Sequence, residues 1–182
     1  FVDILVGHYR RKEHGNIIFA AGYGHTELYN YITHGGITAH SWLLFSRENR
    51  PLGTGGAVVN AVYLIESDPF FIINGDTYCD VDHEAMMAYH WATNSIITVA
   101  CDKNFQHVGT FIASRRFIDL IPKADCKVDM AEVFRHEPVG WFMTDAPFHD
   151  IGSPEGLLEF RNYWAQLLKG GEGRNRHNTY SI

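Results

Sequence analysis

The sequence predicts an α/β fold with a mainly parallel sheet. Short apolar runs alternate with segments of helical periodicity, and the connections between them are short. This alternation is typical of right-handed βαβ units. A chain of 182 residues that is 46% hydrophobic is also long enough to bury a sizeable core in one domain. We therefore expect one domain over residues 1–169, followed by a polar tail over 170–182.

The elements of the first half follow from periodicity, with glycine and proline at their ends. Helical spacing of apolar residues predicts a helix over 1–12, and the apolar run NIIFAA predicts a buried strand over 16–21. Thr26 is a suitable N-cap for a short helix that ends at Ile32. The further predicted elements are a strand over 37–45, a helix over 57–66, a strand over 70–74, a helix over 82–92 and a strand over 96–100.

In the second half, strands and helices alternate less regularly, but the last helix is clearly predicted. Ser153 is a suitable cap, Pro154 suits a first turn, and Glu155 lies near the positive end of the helix dipole. This helix is expected to run to Lys169. The elements predicted before it are a strand over 108–113, a helix over 116–121, a helix over 130–136 and a strand over 139–144.

Composition argues against several function classes. The net charge is −6 and no dense run of lysine or arginine is present, which argues against a dedicated nucleic-acid binder. The cysteines Cys79, Cys101 and Cys126 form no CxxC pair, so neither a zinc knuckle nor a disulfide framework is indicated. No apolar stretch approaches the roughly 20 residues that span a bilayer, and no signal peptide is recognisable. We expect a cytoplasmic protein without a membrane or nucleic-acid partner.

Asp76 is the first candidate functional residue. It follows the apolar run Phe70–Ile73 in the sequence FFIINGDT, and Gly75 beside it leaves room for a ligand. Open α/β sheets bind their ligands at the carboxyl ends of strands, and magnesium prefers a few carboxylate oxygens with phosphate or water in its other positions. The alternative is a turn aspartate that caps the next element.

The segment Gly53-Thr54-Gly55-Gly56 is the second candidate. It lacks the lysine and hydroxyl pair of a Walker loop and does not match GxGxxG. Four small residues that lead into a helix can still present backbone amides to an anion or to the edge of a base. A plain flexible turn is the alternative.

Asp150 is the third candidate, in the sequence FHDIGSPEGL. Two carboxylates from distant segments could hold one metal ion between a nucleotide and its acceptor. The alternative is a loop aspartate that serves a helix N-terminus. Spacing alone does not show that Asp76 and Asp150 meet.

Three motifs in this order, PLGTGGA, FFIINGDTYCDVD and FHDIGSPEGL, resemble the nucleoside-diphosphate-sugar pyrophosphorylases, that is, the sugar-1-phosphate nucleotidyltransferases. Among these, the chain is most similar to the bacterial heptose-1-phosphate and mannose-1-phosphate guanylyltransferase type. The resemblance covers about residues 1–168. It implies a Rossmann-like sheet with flanking helices and a transferase of nucleotide-sugar biosynthesis.

The resemblance also implies roles for single residues. Asp76 and Asp150 would hold Mg²⁺ and serve catalysis, and Gly109 would approach the sugar. The partners would be a nucleoside triphosphate, with GTP favoured, and a sugar 1-phosphate; exposed aromatic residues would favour a homodimer. The residues implied in nucleotide binding are Gly53, Thr54, Gly55, Gly56 and Gly75.

The chain departs from the family pattern in two places. The family's first strand and its arginine-bearing glycine loop are absent before residue 1, and Asn104-Phe105-Gln106-His107 stands where the family carries a further strand and a Glu-Lys pair. Either the full protein contains these stretches and this sequence omits them, or the chain is a shortened relative. Omission is favoured, because the loss of a central strand would leave backbone groups unpaired. The rival function is a catalytically silent subunit that binds sugar nucleotides or regulates an enzyme; a dinucleotide-binding oxidoreductase is disfavoured because no GxGxxG follows a strand.

Overall fold

The structure is a computed structural model that describes residues 1–11, 15–34, 41–121, 127–128, 130 and 139–171. Its helices are α1 (Val2–Arg11), α2 (His25–His34), α3 (Gly53–Ala61), which continues as a 3-10 turn over Val62–Leu64, α4 (His83–Thr93), α5 (Arg116–Leu120) and α6 (Pro154–Gly171). Its strands are β1 (Ile17–Ala21), β2 (Leu43–Arg47), β3 (Phe70–Ile73), β4 (Thr77–Cys79), β5 (Ile97–Cys101), β6 (His107–Ala113), β7 (Val139–Met143) and β8 (Phe148–Asp150).

The largest sheet has the strand order β3-β6-β5-β7. Strand β6 is antiparallel to both β3 and β5, whereas β5 and β7 are parallel. Strands β3, β5 and β7 therefore run in one direction, which confirms the predicted α/β class with a mainly parallel sheet. The reversed β6 follows from its connection, because a tight hairpin can join only antiparallel strands.

Two smaller sheets complete the strand pairing. β1 and β2 pair in parallel, and β4 and β8 pair antiparallel. In the described part of the chain, neither pair is hydrogen-bonded into the four-stranded sheet. α3 packs on both β1 and β2 and also contributes Val58 to the main core, so it connects the first small sheet to the large one.

Several predicted boundaries are corrected by the structure. The helix expected over 57–66 begins at Gly53 and ends at Ala61, because the glycine segment itself adopts helical backbone. β4 and β8 were not predicted, since three residues are too few to show a period. Of the strand expected over 37–45, the described part begins at Leu43, and residues 37–40 lie outside the described residues. The helix over 131–136, Cys126 and the tail from 172 onward lie outside them as well.

The hydrophobic core covers both faces of the large sheet. One cluster, which includes Val99, Phe111 and Phe117, lies on the side of α3 and α5. A second cluster, which includes Met86 and Ile112, lies on the side of α4. The two clusters fix the sheet between its helices and so fix the ends of β3 and β6. None of the described helices is both long and apolar enough to span a bilayer.

We predict that His90 makes the fold sensitive to acid. His90 is 2% exposed, and its Nδ1 lies 2.8 Å from Oγ1 of Thr98. Burial lowers the pKa of His90, while the charge of Asp68 opposes this shift. The unfolded chain therefore binds more protons below about pH 6.5, and stability falls as the pH decreases through that value.

The test is the melting temperature of the wild type and of His90→Gln at about pH 7.5 and about pH 5.5. On acidification, the melting temperature of the variant should fall by less than that of the wild type. The difference should be roughly 2–4 °C for each kcal/mol of pH-dependent stability that the substitution removes. His34→Gln, at an exposed position, is the matched control. An equal acid response in all three proteins would contradict the prediction.

Candidate active site

Asp76 and Asp150 are brought together by the pairing of β4 with β8. Thr77, which follows Asp76, pairs with Asp150 in the antiparallel register. The backbone N–H of Ile151 donates to the carbonyl oxygen of Asp76 at 2.8 Å. The structure thus joins two segments that are more than seventy positions apart in the sequence, as the motif argument required but could not demonstrate.

The two carboxyl groups both lie close to Gly152. The N–H of Gly152 donates to Oδ1 of Asp150 at 2.7 Å. A Cβ atom added at Gly152 would lie 3.0 Å from Oδ1 of Asp150 and 3.8 Å from Oδ2 of Asp76. Two exposed carboxylates that face one small space repel each other, and a divalent cation between them would remove that repulsion.

The donor set fits magnesium better than a metal that needs many protein ligands. In the described ranges, no group of three or more His, Cys, Asp or Glu side chains could hold a metal ion. Magnesium is commonly bound by one or two carboxylates and completes its shell with water and phosphate oxygens. Asp76 and Asp150 are the residues that would hold it here.

Helix α6 begins directly behind Asp150. Oγ of Ser153 accepts the N–H of Gly156 at 3.0 Å, which confirms the predicted cap. A Cβ atom at Gly156 would lie 2.0 Å from the carbonyl oxygen of Asp150, so only glycine lets the helix approach β8 this closely. Further along α6, the ring of Tyr163 packs at 4.3 Å from that of His149 of β8, and burial lowers the pKa of His149. These contacts fix the backbone that carries Asp150.

Gly109 lies next to the carboxylate segment. The N–H of Asn74 donates to the carbonyl oxygen of Gly109 at 2.9 Å. Gly109 has a φ of +76°, and a Cβ atom there would lie 2.9 Å from Cβ of Thr77. Its role toward a sugar remains a prediction, but its position beside Thr77 explains why glycine is needed. Gly75 differs, because within the described part of the chain, its two neighbours aside, no atom lies within 4 Å of a Cβ added there.

The segment Gly53–Gly56 is packed against the chain at Val128. Gly53 has a φ of +70°, and a Cβ atom there would lie 2.5 Å from the carbonyl oxygen of Val128. That oxygen accepts the N–H of Gly55 at 3.0 Å. Close packing therefore explains the glycines at Gly53 and Gly55. The N–H of Gly55 is hydrogen-bonded within the chain. Thr54 is exposed and Gly56 is half-buried, so their surroundings are compatible with the predicted nucleotide contact.

Glu48 is a candidate that the sequence reasoning missed. Its backbone N–H donates to the carbonyl oxygen of Ala21 at 3.0 Å, so it lies at the carboxyl ends of β1 and β2. Its Oε2 accepts the N–H of Leu52 at 3.1 Å and would lie 3.5 Å from a Cβ atom at Gly22. The sequence signal was weak, because the predicted strand ended at Phe45 and only the observed β2, which ends at Arg47, places Glu48 directly after a strand.

Comparison with known proteins supports the resemblance. No protein-family model matches the chain. It is 30% identical over 116 residues to D-glycero-alpha-D-manno-heptose 1-phosphate guanylyltransferase of Aneurinibacillus thermoaerophilus. The matched stretch is 62% of this chain and 49% of that protein. It is 38% identical over 50 residues to the mannose-1-phosphate guanylyltransferase catalytic subunit beta of Drosophila melanogaster. This shorter match is 26% of this chain and 14% of that protein. The chain thus spans about half the length of the first relative and a smaller share of the second.

The chain is also similar in fold to solved structures. HddC from Yersinia pseudotuberculosis, complexed with GMP-PN, matches with a TM-score of 0.76 and 25% identity, over 90% of this chain and 85% of that one. A putative glucose-1-phosphate thymidylyltransferase from Bacillus anthracis matches with a TM-score of 0.70 and 11% identity, over 99% of this chain and 84% of that one. The second likeness shows the fold alone. The two curated relatives are guanylyltransferases that act on sugar 1-phosphates, so the chain is similar in sequence to the family that the motifs resemble.

We predict that Gly109 is required by the backbone at the site. Gly109→Ala places a side chain at positive φ and against Thr77, so the free energy of unfolding should fall by roughly 2 kcal/mol or more. Gly75→Ala has open space and should change it by less than about 0.5 kcal/mol. Urea unfolding of the two variants measures both values. Equal stability of the two alanine variants would contradict the described packing.

Proposed function

We propose that the chain transfers a nucleotidyl group, GMP from GTP, to a sugar 1-phosphate and releases pyrophosphate. The observation that carries this proposal is the convergence of Asp76 and Asp150 on the space beside Gly152. The similarity to nucleotidyltransferases supplies the reaction type. A cytoplasmic location and a homodimer remain predictions from the sequence.

The proposed reaction is an in-line displacement at phosphorus. An oxygen of the sugar phosphate attacks the α-phosphorus of the triphosphate, a new phosphorus–oxygen bond forms, and the bond to the bridging oxygen of the pyrophosphate breaks. Catalysis of this kind depends on positioning and on charge neutralisation. When bound, Mg²⁺ supplies the positive charge that the crowded phosphates require.

The residues of the chain position the reactants in this scheme. Asp76 and Asp150 present their carboxylates to the ion, and the N–H of Gly152 fixes the orientation of Asp150. Gly75 leaves open space next to Asp76 for the triphosphate, and Gly109 lets the sugar approach the strand end. Gly53, Thr54, Gly55 and Gly56 are proposed to border the base and ribose, with Thr54 and Gly56 as the more accessible members.

Guanine is the base that Glu48 favours. The Watson–Crick edge of guanine carries two neighbouring nitrogen donors, and an ionised carboxylate is an acceptor-only group. The bond from the N–H of Leu52 to Oε2 holds the Glu48 carboxylate in place at the end of β2. We propose that this carboxylate reads the guanine edge, in keeping with the guanylyltransferases among the relatives.

We predict that the two aspartates are both essential. Asp76→Asn and Asp150→Asn should each reduce pyrophosphate release from GTP and a sugar 1-phosphate by at least about 100-fold, since each removes a negative charge that would hold the Mg²⁺ ion. Asp145→Asn, an exposed position before β8, is the matched control and should retain turnover. Mn²⁺ binding, measured by electron paramagnetic resonance without substrate, should weaken in the first two variants only.

The outcomes of this test separate the candidate functions. Turnover that survives both substitutions would contradict the proposed site. Binding of a GDP-sugar without pyrophosphate release in the wild type would favour the silent binding subunit instead.

We predict that Glu48 selects the base. Glu48→Gln keeps an acceptor for the N–H of Leu52 but loses the paired acceptor for guanine, so kcat/KM for GTP should fall by about tenfold or more while the other nucleoside triphosphates change little. Glu66→Gln, an exposed position after the 3-10 turn, serves as the control. An equal fall for every nucleotide would indicate a structural role for Glu48 and not base selection.

A further inference from the structure

Thr77 is a buried threonine directly next to one of the two candidate cation ligands. It is the first residue of β4 and is 7% exposed, whereas its neighbour Asp76 is exposed. The hydroxyl of Thr77 donates to Oδ1 of Asp76 at 3.3 Å. A hydroxyl that is shielded from water costs free energy unless it finds an acceptor. The buried position of Thr77 therefore favours this bond to Asp76.

The side chain of Thr77 is held in place by β6. A Cβ atom added at Gly109 would lie 2.9 Å from Cβ, 3.0 Å from Cγ2 and 3.1 Å from Oγ1 of Thr77, so the threonine side chain packs against the bare backbone of this glycine. A β-branched residue also has few accessible χ1 rotamers. The hydroxyl of Thr77 therefore has little freedom to turn away from Asp76.

The bond from Thr77 distinguishes the two oxygens of the Asp76 carboxylate. Oδ1 accepts the hydroxyl, whereas Oδ2 is the oxygen that lies 3.8 Å from a Cβ position at Gly152. Oδ1 of Asp150 lies 3.0 Å from the same Cβ position. Thr77 also pairs with Asp150 in the register of β4 and β8. It therefore contacts one candidate ligand through its hydroxyl and is paired with the other through the backbone.

We propose that Thr77 is a positioning residue for the divalent cation, an inference that rests on the proposed function and on the cation site of Asp76 and Asp150. Its hydroxyl orients the Asp76 carboxylate so that Oδ2 faces the ion, and it acts on the ion only through that carboxylate. Without this bond, an exposed carboxylate samples several orientations and loses that freedom on binding. Loss of a hydrogen bond to a ligating carboxylate typically costs roughly 10–100-fold in metal affinity or activity.

Two substitutions at Thr77 separate the hydroxyl from the methyl group. Thr77→Val keeps the branched shape beside Gly109 but removes the donor. Its Mn²⁺ affinity, measured by electron paramagnetic resonance without substrate, should fall about tenfold while the melting temperature changes little. Thr77→Ser keeps the donor but removes a buried methyl group. Its melting temperature should fall by roughly 2–5 °C while most of the Mn²⁺ affinity is retained.

Thr98→Val is the matched control for these variants. Thr98 is also buried, but its Oγ1 lies 2.8 Å from Nδ1 of His90 and not beside a carboxylate of the site. This control should leave the Mn²⁺ affinity unchanged. Wild-type affinity in Thr77→Val would overturn the proposal. An equal loss of affinity in Thr77→Ser or in Thr98→Val would also overturn it, because the loss would then follow packing and not the hydroxyl of Thr77.

The Mg²⁺ dependence of pyrophosphate release separates positioning from a direct role in the reaction. In Thr77→Val, the Mg²⁺ concentration for half-maximal release from GTP and a sugar 1-phosphate should rise about tenfold, and saturating Mg²⁺ should recover the turnover lost at limiting Mg²⁺. A loss of kcat that saturating Mg²⁺ does not recover would overturn the positioning role. The expected Mn²⁺ pattern in a wild-type protein that releases no pyrophosphate would support the role of Thr77 and refute the proposed function alone.

Discussion

The short antiparallel pairing of β4 with β8 is the interaction on which the candidate site depends. Asp76 and Asp150 each belong to a segment that ends beside this pair, and neither segment alone creates a cation site. Three backbone pairs and the bond from Ile151 to Asp76 bring the carboxylates to the same glycine. The repulsion between two such groups is offset by the surrounding packing of β8 against α6, because the capped start of α6 and the His149–Tyr163 contact keep the backbone in place.

Glycine has several distinct roles around this pairing. Gly156 and Gly53 allow backbone segments to approach more closely than any side chain would permit, whereas the space beside Gly75 is open among the described residues. The same residue type thus serves packing in one place and access in another. Only the latter is direct support for a ligand, and this distinction shifts attention from the whole glycine segment to Thr54, Gly56 and Gly75.

The fold class could be predicted from local patterns in the sequence, and the same patterns drew attention to Asp76 and Asp150 as candidates. The apolar run that ends in Asn-Gly-Asp indicates a strand end regardless of what it pairs with, whereas the strand that carries Asp150 was not predicted. The sequence was insufficient where tertiary contacts decide the outcome. The helical backbone of Gly53–Gly56 depends on Val128, and the reversal of β6 depends on the turn at Asp102. Glu48 was missed because an acidic residue after a strand is common, and only its bond to Leu52 distinguishes it.

The most direct test of the account is a double-mutant cycle on Mn²⁺ affinity, with Asp76→Asn, Asp150→Asn and the double variant. If the two carboxylates hold one ion, each single substitution should remove most of the affinity and the double variant should lose little more, so the two effects are strongly non-additive. Independent, additive effects would contradict the account, because they would mean that Asp76 and Asp150 do not act on the same ion.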